Sequence, residues 1–306
     1  MKKNQKILIL GSNGFIGTNL VHYFSNANFY VEGCDLYETE NNNLKFHNLS
    51  HRNITLANVL QFGQFDFCIN AAGNGNVNFS VTNPEDDFTS NVSFTFQLLT
   101  LLRQHAPNCK YLHISSAAVY GNPEVLPVKE NSVLKPVSPY GWHKMISEQI
   151  CEEFYNLYGI HSAIIRPFSV YGPGLKKQIF WDVYKKSKEN IDAIELWGNG
   201  SEARDFIFIT DLMRAIHAII DSGSFGADIY NVASGKMTYI KDVVDIFLKK
   251  MAINKSISFN GIHHAGNPFQ WQADTTKLHS LGFDVAVSME EGLTVLSDWF
   301  ITQQIS

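Results

Sequence analysis

The chain has 306 residues, 45% hydrophobic and 17% charged, with a formal net charge of -5, values that suit a self-sufficient globular core and exclude disordered, collagen-like and coiled-coil classes. Without a run of five like charges, it offers no basic patch for nucleic-acid phosphates, so no nucleic-acid partner is expected. The basic start before Gly11 carries too few apolar residues for a signal-peptide core or a membrane span, which predicts a cytoplasmic protein without membrane attachment.

In chain order, the apolar run Lys6–Leu10 ends at a glycine and reads as a strand buried on both faces. Gly11-Ser-Asn-Gly14-Phe-Ile-Gly17 follows it and opens a helix over Phe15–Phe24. Glycines there allow a tight turn and close backbone approach, and a helix N-terminus offers N–H groups to a pyrophosphate. The next strand, Tyr30–Cys34, runs into Asp35, an acid about twenty residues past the glycines that can accept hydrogen bonds from an adenosine ribose. A carboxylate there repels a ribose 2′-phosphate, and Leu36-Tyr37 supplies no arginine to bind one, so NAD is expected over NADP.

Further strands are predicted at Asp66–Asn70, Tyr111–Ile114 and Ser162–Arg166, with helices over Val92–Arg103 and Lys144–Tyr158 between them. This alternation predicts an α/β fold with a Rossmann-type, doubly wound parallel sheet. Cys34, Cys68, Cys109 and Cys151 lie far apart without CxxC spacing, so reduced, half-buried core thiols are expected, with neither disulfides nor a metal site.

Ser115 and Ser116 follow the Tyr111–Ile114 strand, where a parallel sheet presents chemical groups, and a hydroxyl there can hold a substrate oxygen. Ser138-Pro139 forms a cap and first position for the next helix, placing Tyr140 in its first turn and Lys144 one turn on, along the same face. Bringing a phenol with a pKa near 10 to neutrality requires about 4 kcal/mol. One positive charge about 5 Å away contributes roughly 3 kcal/mol at an effective dielectric of about 20, so Lys144 and an oxidised nicotinamide together suffice before desolvation is subtracted.

Beyond Arg166 the pattern loosens into loops bearing glycine and proline, the texture of a smaller C-terminal substrate-binding lobe. The expected division is an NAD-binding domain over residues 1–168, with a returning segment near 206–234, and a lobe built from 169–205 and 235–306.

With these residues assembled, the chain resembles the extended short-chain dehydrogenase/reductases of the nucleotide-sugar epimerase/dehydratase group, typified by UDP-glucose 4-epimerase. The resemblance rests on Gly11–Gly17, the Ser115–Gly121 run, Ser138–Lys144, Arg166–Gly174, Gly198-Asn-Gly200 with Arg204-Asp205-Phe206, Tyr230-Asn-Val232 and Ala273-Asp274. It implies a catalytic triad of Ser116, Tyr140 and Lys144. It implies NAD contacts from Gly11, Asn13, Gly14, Phe15, Ile16, Gly17, Asp35, Asn48, Leu49, Ala71, Ala72, Gly73, Asn91, Tyr140, Lys144 and Phe168. For a nucleotide-diphosphate sugar substrate it implies Ser116, Ser169, Arg204 and Trp271, with the Arg204 guanidinium on the diphosphate. The alternative for Arg204 is a surface ion pair with Asp205.

Several positions depart from the group's pattern. Ala117 and Ala118 stand where dehydrating relatives carry acids, Ser169 replaces a frequent asparagine, and His263-His264 stand at the place of a second diphosphate arginine, the alternative being that they are ordinary loop residues. Bulky Trp271 favours a plain hexose or pentose over an N-acetylated sugar. The leading expectation is an NAD-dependent nucleotide-sugar 4-epimerase working by transient oxidation at C4. Its rival is a nucleotide 4-keto-6-deoxysugar reductase using NAD(P)H, and a third reading is a non-catalytic NAD-binding module. The resemblance also implies a homodimer through two helices, one carrying Lys144; Ile146, Ile150 and Phe154 on that helix suit either an interface or packing on the sheet.

Overall fold

A computed structural model describes residues 5–41, 43–189, 193–262 and 268–302. The first half runs β1 (Lys6–Leu10), α1 (Phe15–Asn26), β2 (Tyr30–Asp35), β3 (Lys45–Asn48), α2 (Leu56–Gly63), β4 (Phe67–Asn70), α3 (Val77–Thr82), α4 (Pro84–Phe88), a π-helical turn (Thr89–Ser93), α5 (Phe94–His105) and β5 (Lys110–Ile114). A short 3-10 turn (Ala117–Tyr120) then leads to α6 (Pro139–Tyr158), β6 (Ser162–Pro167), β7 (Ser169–Tyr171), α7 (Gln178–Ser187), β8 (Ala193–Leu196) and β9 (Ala203–Phe208). The remainder comprises α8 (Ile209–Ser222), β10 (Gly226–Val232), β11 (Met237–Tyr239), α9 (Ile240–Lys250), β12 (Ser256–Phe259), α10 (Thr276–His279) and α11 (Met289–Thr302).

Seven strands form one parallel sheet in the order β10-β6-β5-β4-β1-β2-β3. Side chains alternate across a strand, and β1 divides its apolar run accordingly. Ile7 and Ile9 pack with Leu20 and Phe24 of α1 and Ile216 of α8, whereas Leu8 and Leu10 pack with Leu60 of α2, Leu98 of α5 and Cys151 and Phe154 of α6. Both faces are thus covered, as an all-parallel sheet requires. Strand order reverses at β1, between β2 and β4, and such a switch point opens a crevice at the carboxyl ends of the strands.

The smaller sheets are β11-β9-β7, in which β9 pairs parallel with β7 and antiparallel with β11, and the parallel pair β12-β8. β10 crosses back to the edge of the large sheet beside β6.

The polar segment Lys45–Asn48 adds a strand that no apolar run announces, pairing with β2. Two expectations are corrected in detail. The helix expected to start at Val92 continues a run that begins at Pro84 and passes through the π turn. The four thiols are fully rather than half buried, all free, and burial pushes each well up. Phe154 is spent on the core against Cys151 and Ile164, so it packs on the sheet. Among the described residues no helix is long and apolar enough to cross a membrane.

Candidate active site

Gly11 has φ +71, and a Cβ on Gly17 would collide with the Gly11 carbonyl, so α1 meets the loop after β1 at a distance only glycine permits. Gly14 is the N-cap of α1 and no side chain caps the helix. The first-turn N–H groups of Phe15 and Ile16 are therefore left to an external acceptor. Ser12 Oγ, in the same loop and buried against Gly33 of β2, has no hydrogen-bond partner among the described residues.

At the end of β2, Asp35 Oδ2 accepts from Asn13 N at 2.9 Å and Oδ1 from Leu36 N at 2.7 Å, which leaves lone pairs on both oxygens for ribose hydroxyls. Asn48 lies beside Asp35 in register and donates to Glu38 Oε1 at 2.7 Å, while Leu49 N donates to Asp35 O at 2.8 Å. Across the switch point, Ala71, Ala72 and Gly73 follow β4, and Gly73 lies against the Asn91 amide, whose Oδ1 is buried without a partner. Asn91 sits in the π turn, a distortion that recurs at functional sites. An uncapped helix N-terminus, a ribose-facing carboxylate and unpartnered buried polar atoms fit a dinucleotide.

The two serines after β5 separate cleanly. Ser115 Oγ donates to Glu148 Oε1 and is buried. Ser116 Oγ instead accepts from Ala118 N at 3.2 Å, and its hydroxyl favours the ionised form of the Tyr140 phenol. Ser138 caps α6 by accepting from Gly141 N at 3.2 Å, with Pro139 at the first position, so Tyr140 stands in the first turn as expected. At Gly141 a Cβ would lie 2.6 Å from Ala118 O, so the missing side chain lets α6 approach the Ser116 loop. Lys144 Nζ donates to Ile114 O at 3.0 Å and lies 5.8 Å from the Tyr140 ring centroid.

Desolvation outweighs the expected balance of charges in the chain by itself. Burial pushes Tyr140 up to about 12, opposed by the Ser116 hydroxyl and reinforced by the Asp87 carboxylate. Burial likewise lowers Lys144 to about 8, opposed by Asp87 and Glu148.

Phe168, just past β6, is buried edge-on to Trp271 at 5.7 Å, and Trp271 Nε1 donates to Gly121 O at 3.0 Å. Ser169 opens β7, next to Phe206 of β9. Arg204 does not pair with Asp205. Its Nη1 donates to Ala203 O and Phe269 O, its guanidinium lies 5.7 Å from the Trp271 ring, and burial lowers it to about 10. Asp205 is fully buried and accepts from Ser234 and Ala273, with burial raising it to about 6. His263-His264 lie outside the described residues.

Sequence reasoning missed two buried polar groups behind the site. Arg166 donates from Nε and Nη2 to both Glu148 oxygens at 3.0 and 2.6 Å and from Nη1 to Tyr120 OH at 2.7 Å, joining Ser115 to β6. An arginine inside an apolar strand was the available signal, because a buried guanidinium demands a partner. Asp87 accepts from Asn74, Asn91 and His143, and no spacing rule links those four positions.

The sequence profile of the NAD dependent epimerase/dehydratase family matches residues 7–233. A Methanocaldococcus jannaschii protein provisionally named UDP-glucose 4-epimerase is 29% identical over 305 residues, covering 96% of this chain and 97% of the relative. The Pisum sativum UDP-glucose 4-epimerase is 27% identical, covering 94% and 93%. The crystal structure of UDP-glucuronic acid 4-epimerase from Bacillus cereus with UDP-glucuronic acid and NAD superposes with a TM-score of 0.88 at 26% identity, over 99% of this chain and 100% of that one.

Proposed function

The chain belongs to the NAD-dependent epimerase/dehydratase family, and within it we propose a nucleotide-sugar 4-epimerase that keeps its NAD bound. The observation that carries this reading is the convergence of Ser116, Tyr140 and Lys144 beside the switch-point crevice. Gly11, Asn13, Gly14, Phe15, Ile16 and Gly17 would hold the pyrophosphate, Asp35, Asn48 and Leu49 the adenosine, and Ala71, Ala72, Gly73, Asn91, Tyr140, Lys144 and Phe168 the nicotinamide half. When bound, NAD supplies reversible two-electron oxidation at sugar C4.

Tyr140 Oη takes the proton of the sugar 4-hydroxyl as that carbon is oxidised and returns it when the carbon is reduced on its other face, so no net proton is consumed. Ser116 Oγ holds the sugar oxygen, and the Lys144 ammonium favours the phenolate. Arg204 grips the diphosphate, Ser169 borders the sugar, and Trp271 closes the wall against bulky substituents. Ala117 and Ala118 put no acid beside Ser116, which supports epimerisation over dehydration. We place the homodimer on α5 and α6, whose exposed residues include Phe96, Trp142 and Leu157.

Denaturing the purified protein and quantifying released dinucleotide tests the reading, with near-stoichiometric NAD and interconversion of a 4-epimeric pair of UDP-sugars expected. A chain that releases no dinucleotide and consumes added NADPH with a 4-keto sugar nucleotide would replace the epimerase by the reductase. Tyr140→Phe is expected to lower kcat by about 10²-fold or more with NAD still retained, and an active variant would refute the assignment.

A further inference from the structure

We propose that Asp87 is a positioning residue for the Tyr140–Lys144 pair, clamping three segments around it, one of them through His143 next to Lys144, and bringing a buried negative charge to their junction; the inference rests on the role given to that pair above. Asp87 lies in α4 with its side chain fully buried. Oδ1 accepts from Asn74 Nδ2 at 2.6 Å, in the loop after β4, and from Asn91 Nδ2 at 3.1 Å, in the π turn. Oδ2 accepts from His143 Nδ1 at 2.5 Å, on α6 immediately before Lys144. One carboxylate thus ties the loop after β4, the distorted turn and the catalytic helix together.

Neighbouring bonds reinforce the clamp. Ser147 Oγ donates to Asn91 O at 3.1 Å, Tyr140 N donates to Ser80 Oγ at 3.1 Å, and the Phe88 ring lies edge-on to His143 at 5.3 Å.

A buried carboxylate is costly to keep, and among the described residues none of its hydrogen bonds comes from a lysine or arginine. The titratable and charged groups facing Lys144 are Asp87 from α4, Glu148 and Cys151 from α6, His113 from β5, and Lys177 from the segment before α7, with Tyr140 one turn away. Glu148 is committed to Arg166, and Lys177 opposes the ammonium. Asp87 is the largest favourable charge, and the price of that favour is its unfavourable effect on phenolate at Tyr140.

The test follows the carbon-13 shift of Lys144 Cε, a resonance identified by its loss in Lys144→Met. Asp87→Asn is expected to lower its titration midpoint by about one pH unit and to move the alkaline limb of kcat down equally. His143→Gln is expected to leave the midpoint in place and to reduce the kcat plateau about tenfold, with KM for the sugar nucleotide within about twofold. Asp87→Asn combined with His143→Gln offers two amides that can pair, and the same fall in midpoint is expected of it should the single variant not fold. A midpoint in folded Asp87→Asn within about 0.2 pH units of the parent, or an equal fall in His143→Gln, overturns the proposal. A parent that interconverts no sugar nucleotide defeats the epimerase reading instead, while the Lys144 midpoint still decides the role of Asp87.

Discussion

Replacing Lys144 by methionine is expected to stabilise the protein while removing its activity. The side chain is 6% exposed, and burial lowers its ammonium from an ordinary 10.5 to about 8. That gap, at about 1.36 kcal/mol per pH unit, makes the buried charge cost about 3 kcal/mol at neutral pH. Methionine fills similar volume without the charge but abandons the bond to Ile114 O, giving back about 1–2 kcal/mol for an unsatisfied carbonyl.

A net gain of about 1–2 kcal/mol corresponds to a rise in Tm of about 1.5–3 °C for a chain of this size. The sign of the pH dependence is fixed. Because the folded value lies below the unfolded one, the unfolded chain binds more protons between about 8 and 10.5, so the parent gains stability as pH rises through that window. The methionine advantage is therefore full below pH 8, exhausted about one pH unit higher, and reversed by pH 10.5, where only the missing bond to Ile114 O remains. Scanning calorimetry of both proteins at neutral and alkaline pH measures it. A variant less stable than the parent at neutral pH, or an advantage that does not shrink at alkaline pH, would refute the reasoning.

Glu148→Gln leaves the Arg166 guanidinium buried without its counter-charge and is expected to cost about 3–5 kcal/mol in guanidinium denaturation. Glu148→Leu with Arg166→Met removes both charges and should recover most of that loss, and a double variant as unstable as the single one would count against the pair. Trp271→Ser is expected to raise turnover of N-acetylhexosamine nucleotides relative to plain hexose nucleotides, read by competition between the two; a parent that already prefers the N-acetylated substrate would end the argument for Trp271.

Much of the fold could be read directly because its signals are local. The β1 run, the glycines, Asp35 and the Ser138-Pro139 cap each act through neighbours in sequence, and each lands where its spacing put it. β3 was hidden because Lys45-Phe-His-Asn48 is polar and is held by pairing with β2, a partner no local pattern names. The π turn was hidden for a related reason, since Thr89–Ser93 carries a single apolar residue, Val92, too few to reveal the phase shift that an extra residue introduces. Spacing by itself left Ser115 and Ser116 equal and only the resemblance singled out Ser116; in the structure Glu148 on α6 engages Ser115, and Ser116 acts on the Tyr140 phenol.

The part of the site that resisted reading is its charge balance. A tyrosine and lysine one helical turn apart suggest mutual activation, yet burial moves each towards its neutral form, Tyr140 up to about 12 and Lys144 down to about 8. The motif by itself is therefore set against the chemistry it is expected to perform. What opposes burial is Ser116 for the phenol, and Asp87 and Glu148 for the ammonium. Those groups come from the loop after β5, from α4 and from a later turn of α6, so their effect depends on tertiary packing rather than on spacing. Retention of the Lys144 charge thus depends on residues without a motif, and variants at Asp87 and Glu148 should move its titration midpoint further than substitutions at the motif positions between Tyr140 and Lys144 do.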